Sequence, residues 1–345
     1  MGYMISALNE SGKHTDWTFW YKVPKLSGGV NNDSATGFEY AYCDSDNPTP
    51  SRSKYTLDSP DGIMAVILAQ LKQDGAGYIL YNDERPDGKP DNGSLGHTKG
   101  VLCWDVATGT GFWLIHSWPL TPHLQAVAPP TPIYGQTFLC LSLDLISIQQ
   151  IAAQMMACHE PQVYDFSLPT GTPTQLLQLA NGSWEGKHTA ELTKVELSTV
   201  GGMPFTVIAK NREWNDDFWN DGVGPALGVD LHVETWIRGP IAPVADDDGI
   251  HKSFDVKYVN LGPIGVHYAW PETSDHAKWA ISADPSKPFV CIGDLNRMIS
   301  QRKRGGGCVA FQNLALWSAL SKTDLIIAPP GMTKAQAHAH VKSTH

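Results

Sequence analysis

The sequence predicts an α/β fold in two similar halves, with mixed sheets packed at a central interface and helices outside them. Three observations carry this expectation. The 345 residues are 42% hydrophobic and 17% charged, which is enough apolar material for a sizeable core and more chain than one ordinary domain needs. Apolar, aromatic runs bounded by turn residues alternate with capped stretches of helical character. A short His-x-Lys pattern, with polar groups at matching distances downstream, occurs twice.

Asp16–Pro24 (DWTFWYKVP) and Gly37–Cys43 read as strands, and Trp17 and Trp20 as core residues. Ser59 followed by Pro60 reads as a helix start, running to about Gln73. Gly77–Asn82 reads as a short strand, and Asp83–Ser94, with two prolines and two glycines, as an exposed loop. His97–Ser117 reads as two strands about a Gly-Thr-Gly turn. Tyr134–Leu143 follows as a strand, and Asp144–His159 as a helix capped by Asp144.

The second half repeats this order loosely. Thr172 with Pro173 reads as a helix start, running to Ala180. Strands are expected at Phe205–Lys210, Val229–Trp236 and Phe254–Asn260, with a Trp-rich segment at Trp214–Leu227. His276–Ser282 and Phe289–Asp294 form a second strand–turn–strand pair, and Cys308–Ser321 reads as a closing helix. Residues 1–160 and 161–328 are therefore the expected halves, with 329–345 a loosely ordered tail.

The repeat is defined by spacing. His97-Thr98-Lys99 is followed by Asp105 eight residues after the histidine, and by His116 nineteen after it. His276-Ala277-Lys278 is followed by Asp284 at eight, and by Asp294 and Asn296 at eighteen and twenty. On a strand, residues i and i+2 face the same side, so each histidine and lysine would enter one cavity together. Imidazole attacks or transfers protons, and ammonium supplies positive charge. That combination suits an anionic phosphodiester, whose oxygens gain charge in the transition state. In-line displacement needs a group on each side of the departing bond, and two facing pairs supply both. Asn296 is a candidate donor to a phosphate oxygen, and Asp294 a candidate to orient an imidazole.

Composition narrows the function classes. The formal charge of −10 argues against an ordinary nucleic-acid binder, yet protonating all 13 histidines would bring it to +3, so the sign changes in acid. No apolar run is long enough for a membrane span and no CxxC occurs, so neither a membrane protein nor a zinc ribbon is expected. Asp246-Asp247-Asp248 reads as a solvated acidic turn, and neither a cofactor nor a metal site is expected. The start lacks the basic-then-apolar pattern of a signal peptide. Arg302, Lys303 and Arg304, before Gly305–Gly307, are candidates to grip phosphates through side chains and backbone amides, with Arg297 beside them.

Taken together, DWTFWYKVP (16–24), GYILYNDERP (77–86), GHTKGVL (96–102), GFWLIHSWP (111–119), YGQTFLCLSL (134–143), DHAKWAIS (275–282), CIGDLNR (291–297) and RGGG (304–307) resemble the deoxyribonuclease II family. Its double H-x-K arrangement resembles that of the phospholipase D-like superfamily. The resemblance implies two pseudo-symmetric phospholipase D-like halves, each a mixed sheet flanked by helices. It implies metal-independent, acid-optimum cleavage of double-stranded DNA through a covalent phosphohistidine, leaving 3′-phosphate and 5′-hydroxyl ends. By position, His97 and Lys99 form the first pair, His276 and Lys278 the second, with His116, Asp294 and Asn296 in the site. His97 is assigned as nucleophile and His276 as general acid, with the reverse assignment allowed by symmetry. Asp105 and Asp284 are displaced by one residue from the superfamily's aspartate and are not assigned. A Cys291–Cys308 bridge, a lysosomal or secreted location, and a homodimer clamping the duplex complete what it implies. Same-superfamily action on phospholipids or small phosphodiesters, or DNA binding without cleavage, are the other readings.

Overall fold

Period-two burial along an aromatic first strand sets the architecture. In β1 (Trp17–Lys22), Trp17, Phe19 and Tyr21 enter one buried cluster while Trp20 enters another, so both faces of the strand are covered. The computed structural model describes residues 4–29, 32–89, 92–122, 124, 133–183, 189–237, 251–322 and 327–328. The expected tail at 329–345 and the acidic turn at 246–248 lie outside the described residues.

A small hairpin, β2 (Leu26–Gly29) and β3 (Asn32–Ala35), follows β1. Next come β4 (Tyr40–Asp44), β5 (Ser51–Arg52), α1 (Ile63–Leu68), β6 (Ala76–Asn82), β7 (Lys99–Asp105), β8 (Thr110–His116) and β9 (Gln136–Asp144). Helix α2 (Leu145–Gln154) continues as a π turn over Met155–His159, and β10 (Val163–Ser167) closes the first sheet. Its strand order is β10-β6-β7-β8-β9-β1-β4-β5. Every pairing is antiparallel, so this sheet is not mixed as expected. Because β10 lies past residue 160, the first sheet extends beyond the expected boundary between the halves.

The second sheet is built from β11 (Leu192–Ser198), β12 (Pro204–Lys210), β13 (Leu231–Thr235), β14 (Ser253–Val256), β17 (Lys278–Ser282), β18 (Phe289–Gly293), β19 (Gly306–Gln312) and β20 (Ile327–Ala328). A side hairpin, β15 (Tyr258–Asn260) and β16 (Ala269–Pro271), precedes β17. Strand order is β11-β12-β19-β18-β17-β13-β14-β20, with β13–β14 parallel, so this sheet is mixed. Helices α3 (Thr174–Ala180), α4 (Gly224–Leu227) and α5 (Leu314–Lys322) complete the elements, so the fold is mixed α/β.

The sheets touch directly, β17 and β18 against β8 and β9, over one shared core that includes Trp104, Leu141, Trp279, Ile292 and Phe311. Helices are not all outside. Ile148, Ile151, Ala152 and Met155 give α2 an i, i+3, i+4, i+7 stripe that joins this central core, as do Leu176 and Leu179 of α3 and Leu316 and Leu320 of α5. Helix α1 packs on the far face of the first sheet with Trp20 and Phe112. Among the described residues, no helix is long and apolar enough to cross a membrane.

Several local expectations change. Cys308–Phe311 is a strand: its buried run lies between β12 and β18, and the helix begins only at Leu314. Ser59 and Thr172 do not cap helices. Ser59 accepts from Asp61 and Gly62 in a turn, and the Thr172 hydroxyl donates to the Pro169 carbonyl. Asp144 does cap α2, accepting the Ser147 amide at 2.7 Å. Strand β11 had no counterpart in the sequence reading; it is an edge strand with alternating exposure.

Candidate active site

Both H-x-K strands begin at their lysine, so each histidine sits on the approach to its strand and is held by main-chain bonds. The His97 amide donates to the Gly305 carbonyl at 2.9 Å, and its Nδ1 lies 2.7 Å from the Asp294 carbonyl oxygen. A carbonyl only accepts, so Nδ1 carries the hydrogen and Nε2 presents a lone pair. The His97 side chain remains 13% exposed, which leaves the ring reachable. Burial, reinforced by the charges of Lys99, Lys278 and Arg304 against that of Asp83, pushes its pKa down to about 3.

The second pair converges on the same place. Lys278 is pushed down to about 7 by burial and then by the charge of Lys99. Its Nζ donates to the His276 carbonyl at 2.7 Å. The His276 amide donates to Gly135 at 2.9 Å, across the bridge between Gly135 and Asp275. Its ring is stacked on Tyr134, with centroids 3.9 Å apart and planes 11° apart, and lies 4.1 Å from the Trp236 ring. Asp275 braces this corner, accepting from Tyr21 Oη at 2.5 Å, Trp270 Nε1 at 2.6 Å and the Ala277 amide at 2.8 Å.

Asp294 acts on His97 through its main chain, not through its carboxyl as expected. The carboxyl accepts the Gly307 amide at 3.1 Å, and burial raises its pKa to about 7 against the pull of that amide, Lys99 and Lys278. His116, at the end of β8, accepts the Trp118 amide on Nδ1 at 3.2 Å, so its hydrogen lies on Nε2. That nitrogen is buried and has no partner among the described residues. Burial and the charge of Lys99 lower the His116 pKa to about 3. Asn296 is also buried, with an unpartnered Oδ1.

The basic candidates divide. Arg297 is not available to DNA: its guanidinium is buried between Asp217 at 3.1 Å and Asp255 at 2.5 Å and donates to Ser253 O. Arg304 turns inward, donating to the Leu95 and Gly96 carbonyls and to Asp83. Arg302 is half-buried and Lys303 exposed, so both can meet solvent or a ligand. Gly305–Gly307 serves close packing: a Cβ on Gly305 would lie 2.5 Å from Cys158 O, and one on Gly307 2.5 Å from His159 Nε2. The expected Cys291–Cys308 bridge is absent. All six cysteines are free thiols, and these two stand diagonally on β18 and β19. Asp105 and Asp284 hold turns, accepting from Ala107 and Thr108, and from Ser286.

Asp83 is the residue the sequence reading missed, having been placed in an exposed loop. It is buried, and its carboxylate meets Lys99 Nζ, Arg304 Nη2 at 3.1 Å and His97 Nε2 at 3.8 Å. Burial alone would raise its pKa, but Lys99, His97 and Arg304 hold it well below the usual carboxylate range. It directly follows β6, whose last residue, Asn82, pairs with Lys99, and its amide donates to the Thr98 carbonyl, which sets its carboxylate beside Lys99. Tyr134 and Trp236 were likewise unmarked. Among the described residues, no three His, Cys, Asp or Glu side chains gather as a metal site. Lys99, Lys278 and Arg304 bring positive charge to this pocket.

A family model described as Deoxyribonuclease II matches residues 6–329. The chain is 48% identical to a Burkholderia pseudomallei (strain 1710b) protein named "Putative deoxyribonuclease-2", over 99% of this chain and 98% of the relative. It is 34% identical to Deoxyribonuclease-2 of Caenorhabditis elegans, with 92% of each covered, and 33% identical to Deoxyribonuclease-2-alpha of Rattus norvegicus, with 91% of each covered.

Proposed function

The chain belongs to the deoxyribonuclease II family and is an endodeoxyribonuclease of that kind, and from this premise we propose a metal-independent cleavage of double-stranded DNA through a phosphohistidine. The observation that carries the reading is the hydrogen bond from His97 Nδ1 to the Asp294 carbonyl, which aims the Nε2 lone pair into a pocket of cations. His97 Nε2 attacks phosphorus, the bond from phosphorus to the 5′ oxygen breaks, and His276 gives its proton to that oxygen. Water then attacks the phosphoryl group and gives its proton to His276. The nitrogen–phosphorus bond breaks, leaving 3′-phosphate and 5′-hydroxyl ends. Lys99 and Lys278 face the charge on the phosphoryl oxygens, with His116 Nε2–H and Asn296 as neutral donors.

An acidic optimum follows from the different surroundings of the two histidines. His97 must be neutral to attack, and burial among cations keeps it so in acid. His276 must carry a proton, which an acidic medium supplies to imidazole in general, and its ring is held against Tyr134 and Trp236. Contacts to backbone phosphates carry little sequence information, so little sequence preference is expected.

Two phospholipase D-like halves sharing this pocket fit the strand orders. The run β6-β7-β8-β9-β1 parallels β13-β17-β18-β19-β12, and α2 and α5 directly follow the matching strands β9 and β19. A homodimer clamping the duplex belongs to the same proposal. Sedimentation of the active protein tests it, and a fully active monomer refutes it.

Acid quenching during turnover, followed by peptide mapping, tests the mechanism. Phosphate is expected on His97 in the wild type, while His97→Ala and His276→Ala each lose cleavage and His97→Ala traps nothing. Phosphate found on His276 reverses the two roles. Cleavage of a small phosphodiester but not of plasmid would move the substrate class. Saturable DNA binding without scission between about pH 4 and pH 8, the range of histidine titration, would leave a binding protein.

A further inference from the structure

We propose that Asp83 sets the charge selectivity of the phosphate pocket, admitting a phosphodiester monoanion and disfavouring a phosphomonoester dianion. This rests on the cleavage reading above and adds a role to it. The attacking atom of His97 must come within about 3–3.5 Å of phosphorus. The Asp83 carboxylate lies 3.8 Å from that same nitrogen, so the phosphoryl oxygens enter beside a fixed negative charge. The charge cannot move away. The Asp83 amide donates to the Thr98 carbonyl at 3.2 Å, and Lys99 and Arg304 grip the two carboxylate oxygens. Nor is it screened as a surface group would be, since the side chain is 6% exposed. Glu84, 3.8 Å from Lys99, is 46% exposed and contributes less.

The charge count explains the need. Lys99 and Arg304, joined by Lys278 below its pKa of about 7, would without a counter-charge form a trap for highly charged anions, and the product of the second step becomes one above its second pKa. A terminal phosphate is a dianion above its second pKa of about 6, whereas the diester substrate carries one charge at any working pH. Attraction to the cations and repulsion from Asp83 both double for the dianion, so Asp83 cancels part of the preference for it that the cations alone would create. Above about pH 6 Asp83 therefore weakens the hold on the cleaved 3′ end and on terminal phosphates, and in acid, where that end is a monoanion, it draws no such distinction.

Calorimetry at about pH 7.5, where methyl phosphate is a dianion and dimethyl phosphate a monoanion, tests this with the full chain. The wild type is expected to bind methyl phosphate no more tightly than dimethyl phosphate. Asp83→Asn should bind methyl phosphate at least about tenfold more tightly than the wild type, with a smaller change for dimethyl phosphate. Asp83→Glu should restore the wild-type ratio. Equal or weaker methyl phosphate binding by the Asn variant overturns the proposal, because it would mean that Asp83 only holds Lys99 and Arg304 in place. Absence of binding of either ligand by both proteins overturns it as well. If Asp83→Asn does not fold, the wild type decides: tighter binding of the dianion is fatal. DNA cleavage by the wild type is scored separately. Its failure would sink the cleavage reading, whereas cleavage with unaltered selectivity in the variant would sink this inference alone.

Discussion

The Asp294 carbonyl, at the end of β18, accepts the Nδ1 hydrogen of His97, on the approach to β7, at 2.7 Å. One sheet thus sets the tautomer of the histidine presented by the other. The link is main-chain on one side, so it survives changes to the Asp294 side chain.

The Asp294 carboxyl itself is an electrostatic liability above neutral pH. Its folded pKa, raised to about 7, exceeds the unfolded value of about 3.9. Stability from this group is full below the unfolded pKa and is lost as pH rises through the folded one. Asp294→Asn should therefore raise the melting temperature at about pH 8 by much more than at about pH 4, with a gain of about 2–4 kcal/mol at the higher pH. An equal shift at both, read by scanning calorimetry, would contradict this.

Cations supplied by side chains make metal removal a direct test of the pocket. Dialysis against EDTA should leave plasmid cleavage at its starting rate in a gel assay. Loss of activity, restored by a divalent ion, would refute the side-chain mechanism.

The loop before His97 depends on a glycine for clearance. A Cβ on Gly96 would lie 1.7 Å from the His159 carbonyl oxygen, whereas one on Gly93 meets nothing within 4 Å. Gly96→Ala should cost about 3 kcal/mol or more and displace His97, while Gly93→Ala should stay within about 0.5 kcal/mol of wild type. Paired urea titrations and cleavage rates check both.

Arg297 and its basic neighbours should fail in different ways. Removing Arg297 leaves Asp217 and Asp255 facing a vacancy, at a cost of about 3–5 kcal/mol in stability. Arg302→Ala with Lys303→Ala should leave the melting temperature unchanged and weaken DNA binding, lowering the salt slope by about 1–2. Fluorescence anisotropy over a salt series, set beside thermal melts, separates the two outcomes.

Alternation along DWTFWYKVP, the capping aspartate at position 144 and the doubled His-x-Lys spacing are local facts, and each was legible in the sequence because its physics spans only a few residues. The same holds for the lysines, whose companions lie two positions away on one chain segment. Long-range contacts decided the rest. Cys308–Phe311 became a strand because β12 and β18 bracket it, and α2 entered the core because both sheets offer it apolar faces. Arg297 left the DNA-binding set because carboxylates 80 and 42 residues away surround it. Asp83 joined the site through Arg304, 221 residues distant. A side chain's chemistry is written in its type, but whether its charge is spent internally or offered to a ligand depends on which distant groups desolvate and neutralise it, and that only the folded chain decides.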